Sequence, residues 1–159
     1  MSGLRGETAA LDASGRRFAV VAARYHDQLV ARLIEGACAC LEQHGVPRAS
    51  VPVLRVPGAW ELPLALQRLA SEGGWDGLVA LGVVIRGDTP HFEHVCRESA
   101  AGIARVSLDH RLPIGFGVLT CDDATQAEER AGGRVGNKGW EAALATIEMA
   151  HWSAPVVAP

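Results

Sequence analysis

Apolar positions along this chain keep two rhythms that alternate. Residues 17–23, 51–56, 77–85 and 113–120 are short runs with few polar interruptions, the pattern of strands. Between them apolar residues recur at steps of three and four. Leu29, Val30, Leu33, Ile34, Ala37, Cys38 and Leu41 do so over residues 27–44, which predicts a helix stopped by Gly45 and Pro47. Residues 60–71 read as a second helix, with Pro63 in the first turn, where proline is tolerated. Thr89 is expected to cap a third helix, with Pro90 at its first position. Phe92, Val95, Cys96, Ser99, Ala100, Ile103 and Val106 form its inward stripe. Residues 123–131 predict a short helix, 132–139 a glycine-rich loop and 140–150 the last helix.

Strands alternating with helices imply a parallel sheet with helices on both faces. Run 77–85 is the most apolar, as expected of a strand buried on both sides. Ligands of such sheets lie beyond the carboxyl ends of the strands. The residues to weigh therefore follow each run: Arg24 to Asp27, Pro57 to Glu61, Arg86 to His91, and Thr120 onward. No repeat or composition shift marks a second domain. Residues 1–159 read as one domain, with 1–16 flexible or an arm docked on a neighbour and 151–159 a tail.

Composition narrows the function classes. The 159 residues are 48% hydrophobic and 21% charged, enough apolar material for a core and too much for a disordered chain. A net charge of −3 without a basic block argues against nucleic acid as a partner. No run reaches the ~18–20 apolar residues of a membrane span, and residues 1–13 lack a signal-peptide core, so the cytoplasm is the expected compartment. Cys38, Cys40, Cys96 and Cys121 match no zinc spacing and read as small buried hydrophobes, with a disulfide as the remote alternative.

The chemistry concentrates after residue 85. A strand that ends in a glycine-containing turn and feeds a helix start is a natural anion site, because unpaired N–H groups and the positive end of the helix dipole meet there. Gly87, Asp88 and Thr89 supply the amides, and His91 places a proton carrier at the mouth. Tyr25 offers a ring for stacking, and Ala59, Trp60 and Glu61 offer amides and a carboxylate suited to hydroxyls. Val83, Val84 and Ile85 offer peptide groups to a heterocycle edge, and Arg130 and Lys138 are later cations. Plainer roles compete: Tyr25 capping a core, Trp60 packing, Glu61 answering the helix dipole, Arg130 as a solvated charge. His91 and His94 could begin a metal pair, but no third ligand has sensible spacing, so no metal is expected and His94 reads as solvated. His26 has no chemical context of its own, and no dinucleotide or Walker fingerprint is present.

Together these pieces resemble the lumazine synthase family of riboflavin biosynthesis. The carriers are Val56 to Pro63, Ala80 to Phe92, Gly115 to Thr120, Gln126 to Gly132 and Gly136 to Gly139, in family order over about residues 15–150. The resemblance implies a three-layer αβα fold, flavodoxin-like, with a four-stranded parallel sheet and an N-terminal segment that adds to a neighbour's sheet. It implies condensation of 5-amino-6-(D-ribitylamino)uracil with 3,4-dihydroxy-2-butanone 4-phosphate to 6,7-dimethyl-8-ribityllumazine, phosphate and water, without metal or organic cofactor. His91 then matches the proton donor. Tyr25, Ala59, Trp60, Glu61, Val83, Val84, Ile85, Phe116 and Lys138 match the ribitylaminouracil site, and Asp88, Thr89 and Arg130 the butanone phosphate site. Phe116 and Arg130 would come from the adjacent subunit.

The family reading also carries assembly. Its members are homo-oligomers, pentamers that in some cases close into icosahedral shells, with riboflavin synthase as a candidate cargo. Residues 132–139 have the compact loop length of shell formers. The alternative is a homologue on the same scaffold that binds flavin or lumazine, or builds a shell, without catalysis. Tyr25 stands where phenylalanine or tryptophan is usual, His26 where asparagine is common, and Asp88 where small residues are frequent. Asp88 is expected to turn its carboxylate from the phosphate and cap the helix.

Overall fold

A computed structural model describes residues 11–152. The apolar runs become β1 (Phe18–Ala23), β2 (Val53–Val56), β3 (Gly77–Ile85) and β4 (Ile114–Cys121). The three- and four-step patterns become α1 (Asp27–Gln43), α2 (Leu62–Glu72), α3 (His91–His110), α4 (Ala124–Arg130) and α5 (Lys138–His151). The strands form one parallel sheet in the order β2-β1-β3-β4.

Period-two alternation sends side chains to two cores. Phe18, Val20 and Ala22 of β1 join Val79, Leu81 and Val83 of β3 under α1 and α5. Ala19 and Val21 join Leu78 and Ala80 under α2 and α3. Three layers result, αβα, as the apolar pattern requires. The central strands are buried on both faces, whereas β2 is an edge strand whose Val53 and Leu54 are each 39% exposed. The α1–α5 crossing depends on Gly139: a Cβ there would lie 2.0 Å from the Leu33 carbonyl oxygen. No helix among the described residues is long and apolar enough to cross a membrane.

Four boundaries differ from the expectations. Helix α2 starts at Leu62, because Ala59–Glu61 forms a separate 3₁₀ turn that ends in Glu61. Helix α3 starts at His91 with Pro90, not Thr89, as the cap residue; Pro90 sits at φ −63°, ψ −2° and offers no side-chain acceptor. Residues 132–139 are not a plain loop: β5 (Ala131–Gly133) and β6 (Gly136–Asn137) pair antiparallel. Helix α5 starts at Lys138, earlier than the apolar period suggests, because Asn137 Oδ1 accepts from the N–H groups of Gly139 (2.9 Å) and Trp140 (3.2 Å).

Residues 11–16, expected within an arm, pack on their own chain: Ala13 is buried and its N–H donates to the His44 carbonyl at 2.7 Å. The rest of the arm and residues 153–159 of the tail lie outside the described residues. The four cysteines are free thiols, three buried and Cys96 half-buried. Burial pushes the Cys40 thiol up to about 12, so it stays protonated and inert at neutral pH.

Candidate active site

Strand β1 is followed by β2 on one side and β3 on the other, so the chain reverses direction across the sheet between β1 and β3. A crevice opens there at the carboxyl ends of the strands. It holds a cavity of about 710 Å³. Tyr25 and His26 enter it from the β1–α1 connection, and Ala59, Trp60 and Glu61 from the turn before α2. Val83, Val84 and Ile85 form its floor at the end of β3, and His91 stands on the first turn of α3.

Each group is held by a local cause. Tyr25 is anchored by its N–H on the Pro57 carbonyl (3.3 Å), while the residue as a whole is 69% exposed at the mouth. That ring lies over Gly58, where a Cβ would sit 3.1 Å from it. Glu61 Oε2 accepts the Gly58 N–H at 2.9 Å. The carboxylate is thus aimed by the turn itself, and its second oxygen has no protein donor among the described residues. Trp60 is 57% exposed, so it is a cavity wall and not core packing.

The turn at 87–90 is exposed and leads into α3. Thr89 Oγ1 is 3.4 Å from the His91 N–H, too long for a strong cap. Asp88 has no hydrogen-bond partner among the described residues; the expected Asp88 cap does not form, because Pro90 occupies the cap position.

Two further residues line the cavity, neither of them matched to a substrate in the sequence. His94 shares a face with His91, three residues on, and lines the same cavity. His26 does so because its backbone is left-handed (φ 57°, ψ 48°), a region enriched in Asn, Asp and His. The three-residue spacing from His91 flags His94, and the position of His26 just beyond the end of β1 flags it in the same way as Tyr25. No three metal-ligating side chains cluster among the described residues.

Phe116, Arg130 and Lys138 do not reach this crevice within the chain. Phe116 pairs with Ala80, five positions before the Ile85–Cys121 pair, hence about 16 Å back along the strand. It lines a separate cavity of about 470 Å³ with Leu108, Met149 and Trp152. Arg130 ends α4 and donates to the Gln126 carbonyl at 3.0 Å. Lys138 pairs with Glu141 at the start of α5.

A doubly wound αβα domain whose switch-point crevice gathers a histidine, a carboxylate and strand-end amides is an enzyme scaffold for small molecules. The family model described as 6,7-dimethyl-8-ribityllumazine synthase matches residues 15–154. The 6,7-dimethyl-8-ribityllumazine synthase of Desulfovibrio desulfuricans is 52% identical over 148 residues, 93% of this chain and 95% of its own. That of Aquifex aeolicus is 50% identical over 141 residues (89% and 92%), and that of Chlorobium phaeobacteroides 47% over 141 (89% and 91%). The chain belongs to the 6,7-dimethyl-8-ribityllumazine synthase family of transferases.

Proposed function

We infer that this chain condenses 5-amino-6-(D-ribitylamino)uracil with 3,4-dihydroxy-2-butanone 4-phosphate, releasing phosphate and water, in riboflavin biosynthesis. The observation that carries the division of labour is that eight of the implied site residues, from Tyr25 to His91, face one crevice. Tyr25 stacks on the pyrimidine ring, the β3 end from Val83 to Ile85 reads its polar edge, and Ala59, Trp60 and Glu61 hold the ribityl chain. Asp88 and Thr89 present backbone N–H groups to the phosphate, and Arg130 completes that site.

The chemistry needs little beyond this. An amine attacks a carbonyl, water leaves, phosphate is eliminated, and a second amine closes the ring on the remaining carbonyl with loss of a second water. Each step moves a proton, and an imidazole can both give and accept one; His91 has that role. Holding the two substrates together supplies most of the remaining rate.

The single domain works as a homo-oligomer. Phe116 and Arg130 serve the crevice of the adjacent subunit, and Lys138 lies near it. The edge of β2, unpaired among the described residues, offers the strand to which a neighbour's N-terminal segment adds. The compact connection at 132–139 favours an icosahedral shell of pentamers, with riboflavin synthase as cargo. Mixing the two substrates with the purified chain should produce lumazine fluorescence and stoichiometric phosphate. No product under any condition would favour a binding homologue. Sedimentation of the same sample separates shells from pentamers.

A further inference from the structure

Arg86 is the first residue beyond β3, and nothing in the reaction scheme uses it. Its N–H extends the β3–β4 ladder, donating to the Cys121 carbonyl at 2.9 Å. Its Nε donates to Asp122 Oδ1 at 2.8 Å, and its Nη1 donates to Glu93 Oε1. Its guanidinium lies 4.4 Å above the ring of Phe92, which is buried. Glu93 is in the first turn of α3. Asp122 leads into α4: its N–H donates to Gln126 Oε1 at 3.0 Å, and Asp123 caps that helix through the Gln126 N–H at 2.8 Å. One side chain therefore ties the start of α3 to the start of α4, and the turn at 87–90 is strung between its own backbone and its grip on Glu93.

The charges around that turn run against an anion. Asp88, Glu93 and Asp122 are carboxylates, and Arg86 is the cation paired with two of them. The hydrogen bonds from Arg86 hold both partner carboxyls below the usual carboxylate range, so the cluster stays charged through neutral pH.

We propose that Arg86 acts on the anion-binding turn through its two partners: paired with Glu93 and Asp122, it masks both carboxylates from the substrate phosphate, without binding that phosphate itself. The proposal rests on reading the turn at 87–89 as the phosphate site.

Steady-state kinetics of R86M, R86K and the triple variant R86M/E93Q/D122N test it, with inorganic phosphate as inhibitor. Two unmasked carboxylates near a helix N-terminus, each weakening an anion roughly threefold, should raise the KM of the phosphorylated ketone about tenfold in R86M. The inhibition constant of inorganic phosphate should rise with it, while kcat and the KM of the ribitylaminouracil stay within about twofold. R86K keeps the charge but loses the planar fork and should fall between, near threefold. The triple variant should return the ketone KM to within about twofold of the unaltered chain, since the repelling charges leave with their mask.

Unchanged KM in R86M overturns the proposal. So does a joint loss of kcat and both KM values that the triple variant fails to relieve, which marks a fold defect. A ketone KM that rises alone and is not relieved by the triple variant means Arg86 grips the phosphate directly, and also overturns it. If inorganic phosphate competes with the ribitylaminouracil in the unaltered chain, the phosphate-site reading has failed, and the proposal falls with it.

Discussion

At the β1–β3 crevice, Tyr25, Glu61 and His91 arrive from three different connections and face one cavity. On the β4–α4–α5 side, Phe116, Arg130 and Lys138 lie outside that cavity, and two of them are bonded back to their own helices. The first group is positioned by strand ends that the sheet brings together. In the second, Arg130 and Lys138 are half-buried, and Phe116 is 43% exposed beside Leu108, Met149 and Trp152, which are 78%, 53% and 66% exposed. The central strands are buried along almost their whole length, so these apolar side chains gain nothing from folding by standing in water. The contrast supports half a site per crevice, with the other half worn on the outside for the next subunit.

The strongest way to break this contrast is to disable the halves separately. His91→Ala should lower kcat by about 10²–10⁴, the usual contribution of a general acid–base group, with assembly unchanged. Arg130→Ala should chiefly raise the KM of the phosphorylated ketone. The decisive sample is a mixed oligomer refolded from both variants at equal ratio. If sites are shared between chains, roughly a quarter of them pair an intact His91 with an intact Arg130, and activity returns to that extent. If both residues serve the same chain's crevice, every site carries a defect and mixing restores nothing.

A smaller effect sharpens the other end of the comparison. Phe116→Ala removes an aromatic face that is exposed on its own subunit. A stacking role in the neighbour's site predicts a KM for the ribitylaminouracil raised roughly threefold to tenfold, as an aromatic pair is worth ~0.5–1.5 kcal/mol. The ketone KM should move less. A stability loss with unchanged kinetics would return Phe116 to simple interface packing.

Most of this architecture is legible in the sequence. Element order, sheet type and the crevice follow from apolar periodicity and the rule for strand ends, because both depend on local sequence. The same rule selected Tyr25, Glu61 and His91. What escaped depends on backbone conformation or on long-range pairing. The left-handed backbone that turns His26 inward has no signature of its own, since many residues precede a helix without adopting it. The Arg86 clamp needs Glu93 and Asp122, the latter 36 residues away, and only the β3–β4 register brings them together. The cap of α3 lies one residue later than Thr-Pro suggests, because Pro90 itself takes the cap position. The β5–β6 hairpin was hidden in a glycine-rich stretch too short to show alternation.

The starts of α3 and α5, one on each side of this comparison, allow the finest test. Asn137 caps α5 through two N–H groups and also donates from Nδ2 to the Arg32 carbonyl at 2.9 Å, tying α5 to α1. Asn137→Ala should cost about 1 kcal/mol, a fall in Tm of roughly 2–4 °C for a domain of this size. Thr89 has only the long 3.4 Å approach to the His91 N–H, so Thr89→Ala should shift Tm by well under ~1 °C. Its effect should fall instead on the KM of the phosphorylated ketone. Thermal denaturation of both variants beside their kinetics separates the outcomes. Equal losses of stability would mean that Thr89 is a structural cap after all, and the turn before His91 would then owe its shape to the helix and not to a ligand.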